Sequence, residues 1–366
     1  MCTSTENLKR YTLIVLALLV CFFVPQTTSA QTQTPEAVLP IYQLIDGAVV
    51  QLDPLSGQRT TIATELTASD GTGIASATTQ SNTRPVWTAA IDPSGQYVYV
   101  VEAVQQDSNG LPTVMDLVQI NLATQVRTLV LTENVSNIAF SPDGRHAVIT
   151  FFLGALGQTN RNACILTVQT LSCQRLNFGT LGVGNGYWLD NDQFLIQVGE
   201  LDPLRIINVT SGSVTTVTLP EKWYIYLAVP IPSSNTLLIS AGERFVTPVP
   251  PLVFLQYNLI TATLVELPFG PGASYWTIID LTLSPDGNHL FYGTDGQPYN
   301  VVDMNTGNLI ASVDLVFTAD WVSNEALIVQ GSRDGSILEI MNIDATNGQI
   351  QSLAQGEAAG GILLGP

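Results

Sequence analysis

YWTIIDLTLSPDGNHLFYGTDGQPYNVVDMNTGNLIASVDL, residues Tyr275 to Leu315, decides the fold. It holds four apolar segments of strand length, rich in β-branched and aromatic residues. They are parted by Ser284-Pro285-Asp286-Gly287, Asp295-Gly296 and Asn305-Thr306-Gly307. This pattern predicts one four-stranded antiparallel meander. A lone meander cannot bury its two apolar faces, so it requires similar units stacked against it.

Such units recur along the chain. Turns before an apolar strand stand at Ile91-Asp92-Pro93-Ser94-Gly95, Phe140-Ser141-Pro142-Asp143-Gly144, Trp188-Leu189-Asp190-Asn191-Asp192, Pro230-Ile231-Pro232-Ser233-Ser234 and Trp321-Val322-Ser323-Asn324-Glu325. Equivalent positions 93, 142, 190, 232, 285 and 323 lie 49, 48, 42, 53 and 38 residues apart, the period of a four-stranded blade with variable loops. A second hairpin signal repeats in step, as in Asp303-Met304-Asn305-Thr306-Gly307 and Asp344-Ala345-Thr346-Asn347-Gly348. An earlier unit, Pro40 to Thr64, has three strands, and Ile362-Leu363-Leu364 is left over at the other end. The expectation is an all-β, seven-bladed propeller over residues 38–366, with blade 1 completed by the C-terminus. A six-bladed ring with residues 38–64 packed elsewhere is the alternative.

The Ser-Pro-Asp-Gly turns, with Asp-x-x-Thr-Gly later in the unit, resemble the bacterial WD-like propellers, including the Tol-associated periplasmic type. Asp92-Pro93-Ser94-Gly95-Gln96-Tyr97-Val98-Tyr99-Val100 is similar to the YVTN-type repeat of surface-layer and lactonase-like propellers. The resemblance covers about residues 38 to 356 and implies a fold more than an activity.

The chain has 366 residues, 46% hydrophobic and 11% charged, with a net charge of −18. Residues 1–30 read as an export signal: Lys9 and Arg10, an apolar run from Tyr11 to Val24, then Thr28-Ser29-Ala30. Retention of that run as an anchor is the alternative. Residues 31–37 read as a flexible mature N-terminus. The mature chain then keeps one lysine, Lys222, and an acidic surface that repels phosphate backbones, so nucleic acid is not an expected partner, and no membrane span is expected after cleavage. The expected location is extracellular, cell-surface or periplasmic, and the expected partner a protein or a neutral, carbohydrate-like ligand. Cys164 and Cys173 flank a tight hairpin and are expected to form a structural disulfide.

For chemistry the residues offer little. The two histidines, His146 and His289, occupy the same repeat position on different blades, and no zinc or Gly-x-Ser-x-Gly motif is present. Gly182 to Gly186 misses the phosphate-binding spacing and reads as an interblade loop. No cofactor is expected. Calcium is invited only by Asp-Gly pairs, which ordinarily make turns. No catalytic residue is assigned; Glu133 and Asp280 are stray acids among apolar inner strands. The candidate ligand contacts are Trp87, Trp223, Tyr224, Tyr275 and Trp276 at the channel rim, with Arg161, Arg244 and Arg333 in uneven loops on the same face. Three readings follow: a binding or interaction module, a lactonase-like hydrolase, or a structural component of a cell envelope.

Overall fold

The computed structural model describes residues 41–45, 48–63, 86–106, 112–151, 162–177, 186–197, 203–243, 251–271, 278–294, 297–333, 337–355 and 362–364. The expected signal and mature N-terminus, residues 1–37, lie outside them.

Twenty-eight strands, numbered in chain order, make seven four-stranded antiparallel sheets. Blade 1 is ordered β28 (Ile362–Leu364), β1 (Ile41–Ile45), β2 (Ala48–Leu52), β3 (Arg59–Ala63). In the others, chain order is also spatial order. Blade 2 holds β4 (Val86–Ile91), β5 (Tyr97–Gln106), β6 (Pro112–Asn121) and β7 (Arg127–Thr132). Blade 3 holds β8 (Val135–Phe140), β9 (His146–Phe151), β10 (Asn162–Thr167) and β11 (Ser172–Asn177). Blade 4 holds β12 (Gly186–Trp188), β13 (Gln193–Ile196), β14 (Leu204–Asn208) and β15 (Val214–Val217). Blade 5 holds β16 (Trp223–Ile231), β17 (Thr236–Glu243), β18 (Val253–Asn258) and β19 (Leu264–Glu266). Blade 6 holds β20 (Ile278–Leu283), β21 (His289–Thr294), β22 (Tyr299–Asp303) and β23 (Leu309–Val313). Blade 7 holds β24 (Leu315–Trp321), β25 (Ala326–Ser332), β26 (Glu339–Asp344) and β27 (Ile350–Gln355). Residues 41–63 are thus part of the ring, joined to the C-terminal strand.

The repeated turns form for local reasons. In blade 6 the Ser284 hydroxyl donates to Asp286 Oδ1 (2.6 Å) and accepts from the His289 amide (2.9 Å), while Gly287 takes φ +74°. Blade 3 repeats this with Ser141, Asp143, His146 and Gly144 at φ +68°. Where the motif has drifted, other oxygens close the same turn. Asp190 Oδ1 accepts from the amides of Asp192 and Gln193, and Ser323 Oγ from those of Glu325 and Ala326. The later hairpins use an Asx turn: Asp303 Oδ1 accepts from the Thr306 hydroxyl (2.9 Å) and amide (2.8 Å), which hold its carboxyl below the ordinary range. These serine hydroxyls and aspartate carboxylates are committed to turns.

The core lies between blades. Val98 to Val101 are all fully buried, yet Val98 and Val100 join the blade 1/2 cluster with Tyr42, and Tyr99 and Val101 join the blade 2/3 cluster with Ile149. Alternate residues therefore serve opposite neighbours, which is why the second strands read as unbroken apolar runs. Clusters of this kind also join blades 3/4 through Val148 and Phe194, 4/5 through Leu195 and Trp223, 5/6 through Phe254 and Tyr292, 6/7 through Phe291 and Trp321, and 7/1 through Ile328 and Leu52. Seven sheets meet at seven packed interfaces, the last closing the ring.

Cys164 and Cys173 are joined by a disulfide, with Cα atoms 5.7 Å apart. The two are not directly opposite: Cys164 pairs with Arg175 and Cys173 with Leu166, so the bridge runs diagonally on one face of the β10–β11 hairpin. The sequence separation of 9 closes a short loop, for which the chain-entropy contribution is roughly 2–3 kcal/mol. Melting with and without reductant, and of the Cys164→Ala/Cys173→Ala double variant, is expected to show a loss of that size.

Candidate functional site

The first strand of each blade lines the ring interior, and its backbone carries a feature that repetition of turns does not reveal. In blades 2, 3, 5, 6 and 7 the pairing register slips at one place, between Val86 and Thr88, Val135 and Asn137, Ile225 and Leu227, Ile278 and Asp280, and Val316 and Thr318. Each slip is a β-bulge, and the extra residue is Trp87, Ser136, Tyr226, Ile279 or Phe317, always six residues before the turn position. A bulge bends its strand and re-aims the side chains that follow. It also loosens the ladder, and in blade 5 the Ile225 carbonyl beside it accepts from Gln197 Nε2 of blade 4 (3.1 Å).

After the bulge in blade 6 comes Asp280, and two residues before the end of β24 in the next blade comes Asp320's neighbour Ala319, then Asp320 itself. Both carboxylates are half-buried, and each accepts from the amide of the residue after it, Leu281 at 2.9 Å and Trp321 at 2.8 Å. Tyr187 of blade 4 packs against the blade 5/6 cluster and feels the charge of Asp280. Burial dominates the electrostatics of all three. It raises the Asp280 carboxyl to about 6 and the Asp320 carboxyl to about 7, the latter also by repulsion from Asp280. The Tyr187 phenol is pushed well up by burial and then by Asp280. Other buried acids are compensated: Glu102 pairs with Arg127, and Glu339 with Arg333 (3.5 Å) and Gln355 Nε2 (3.4 Å). Asp280 and Asp320 have no cationic partner among the described residues. The arrangement can bind a proton or a positively charged group.

The residues singled out in the sequence fall at several places. Trp87 is the bulge residue of β4, equivalent to Tyr226 and not to Trp223, which opens β16 three residues earlier. Trp223 is 5% exposed and packs with Leu195, Leu204 and Val217 of blade 4, its ring lying 4.3 Å from the Lys222 ammonium. Tyr224 follows it, half-buried. Arg333 follows the second strand of blade 7 and pairs with Glu339. Tyr275, Trp276, Arg161 and Arg244 lie outside the described residues. Tyr187 and Asp320 were not read as site residues. The available signal was an acid inside an apolar strand, Phe317-Thr318-Ala319-Asp320-Trp321, where Asp is disfavoured. Among the described residues no group of three His, Cys, Asp or Glu side chains comes together to hold a metal.

No family model matches the chain, and no curated protein matches it. Solved structures do share its architecture. It is similar to the structure of U3-55K (9% identity, TM-score 0.52, covering 75% of this chain and 83% of the other). It is likewise similar to the WD40 repeats of RRP9 (8% identity, TM-score 0.52, 75% and 82%) and to a chain of the mitotic checkpoint complex (12% identity, TM-score 0.50, 72% and 77%). At such identities the likeness concerns the fold alone, a β-propeller.

Proposed function

We propose that this protein is an exported binding module that captures a protein or small-ligand partner at the mouth of its central channel. The observation that carries this reading is the uncompensated pair Asp280 and Asp320 on neighbouring inner strands. Natural proteins rarely leave buried carboxylates unpaired without a use for them. The pair selects a partner that presents a cationic or hydrogen-bond-donating group. One fold neighbour is part of a multiprotein assembly, the mitotic checkpoint complex, and this supports an interaction role. Export to the periplasm, cell surface or medium rests on residues 1–30, and the YVTN-like repeat in blade 2 supports a place at a bacterial surface.

The test is a thermal-shift screen against basic peptides, neutral oligosaccharides and lactones. A ligand at 100 times its Kd stabilises the native state by about 2.7 kcal/mol. The expected hit is a saturable shift lost in Asp280→Asn. No shift across basic peptides and oligosaccharides alike, in protein that melts cooperatively, overturns the reading.

The hydrolytic reading is favoured by one arrangement, two carboxyls on neighbouring inner strands that burial pushes up to about 6 and about 7, where one can serve as base and the other as acid. Turnover of a lactone or ester by the wild type, abolished in Asp320→Asn, would establish it over simple binding.

A further inference from the structure

Each blade ends in an outer strand with one edge unpaired in the ring, and six of the seven carry a device that discourages a foreign strand. β3 holds Arg59 and a bulge at Ile62, and β7 holds Arg127 and a bulge at Val130. β23 and β27 carry no charge but are bulged at Ile310 and Leu353. β11 holds Arg175, and β19 is three residues long and ends in Glu266. β15, Val214-Thr215-Thr216-Val217, has neither charge nor bulge, and its register with β14 is unbroken. No charged residue occurs from Ile206 to Pro220. Val214 is 47% exposed and Thr215 and Thr216 are exposed, while Val217 is buried in the blade 4/5 cluster.

The hairpin fixes which backbone groups of β15 point away from the ring. The Asn208 amide donates to the Ser213 carbonyl (2.8 Å), and from there bonded and unbonded pairs alternate along the ladder. Thr215 and Val217 therefore direct their amides and carbonyls to β14, whereas Val214 and Thr216 turn theirs outward. Those outward groups are a template for an antiparallel strand.

Charge limits what can lie on that template. The chain carries −18, so two copies repel one another at most approaches. At β15 two backbones can meet with no acid on either. The strand also fits itself: a two-fold axis through Thr216 sets Thr216 opposite its own copy and Thr215 opposite Val217. Outward residues then face outward residues, as an antiparallel ladder requires, and every pair is β-branched.

We propose that β15 is a self-association edge, at which two copies of this chain join rim to rim in a weak isologous dimer. Four residues per strand make a small contact, so a dissociation constant on the order of 100 µM is expected. Salt screens the repulsion between the two acidic bodies and strengthens this pairing, the reverse of its effect on a complex held by ion pairs.

Sedimentation equilibrium from about 10 to about 500 µM is expected to show the mass rising from one chain toward two, several-fold more readily in high salt than in low. Thr216→Pro removes an outward amide and no bond to β14, and Thr216→Lys sets like charges face to face. Both variants should melt within about 2 °C of wild type and stay monomeric. Amide exchange in the wild type gives a readout that needs no variant: the Val214 and Thr216 amides should slow several-fold as concentration rises, and the Thr215 amide should not. A protein that stays monomeric over the whole range overturns the proposal. So does association that weakens with salt, that survives either substitution in cooperatively melting protein, or that leaves exchange at Val214 and Thr216 unchanged.

Discussion

Removing residues 362–366 is expected to open the ring. β28 supplies the innermost strand of blade 1, pairing Ile41 with Leu364, Tyr42 with Leu363 and Gln43 with Ile362. Without it β1 becomes a bare edge facing the channel, with unpaired backbone groups that invite another chain. Three ladder residues at about 1 kcal/mol per hydrogen bond give a loss of at least about 3 kcal/mol. Lost support for the blade 1/2 cluster, where Tyr42 meets Ile91 and Val98, adds to it. Calorimetry should show a midpoint lowered by about 6 °C or more, and a sizing column should show association of the truncated chain. A truncation that melts within 2 °C or so of the intact protein would mean that β1 closes the ring without its partner.

Phe254→Ala is expected to cost about 3–5 kcal/mol, among the largest effects available to a single side chain here. Phe254 is fully buried on the third strand of blade 5 and meets Tyr292 of blade 6 edge-on at 5.3 Å and Phe269 at 5.9 Å. Truncation leaves a cavity at the blade 5/6 interface and removes both ring contacts. Phe254→Leu, which keeps most of the volume, should cost roughly half as much. Ile260→Ala, 74% exposed on a hairpin tip of the same blade, should stay within about 0.5 kcal/mol. Denaturant midpoints at constant m-value decide this; a Phe254→Ala loss no larger than that of Ile260→Ala would show that the interface repacks.

Much of the fold was legible because it is written in local chemistry. Ser284-Pro285-Asp286-Gly287 closes its turn with its own hydroxyl, carboxylate and glycine, so four residues suffice to mark the end of one strand and the start of the next. The disulfide was legible for the same reason, two cysteines flanking a short hairpin, although its diagonal register was not. The site was only partly legible. Asp280 stood out as a stray acid, but Asp320 and Tyr187 belong to blades whose turns have drifted, so their equivalence to other inner-strand positions was hidden. The rim aromatics do not align: β4 and β16 carry the bulge at the same place, so Trp87, six residues before its turn, and Trp223, nine before, sit at different levels of the ring.

The structure settled seven blades over six and the pairing of the chain's two ends, but by itself the amino-acid sequence determined the repeated four-stranded units and the turns between their strands. Those follow from turn chemistry and apolar runs, which act over a few residues. Only the tertiary structure decided that Asp280 and Asp320 stand on neighbouring inner strands, that Tyr187 feels the charge of Asp280, and that Trp223 fills an interblade seam. Those facts depend on bulges and on the circular stacking of blades, which bring together residues tens of positions apart, and on desolvation, which no single strand can produce alone.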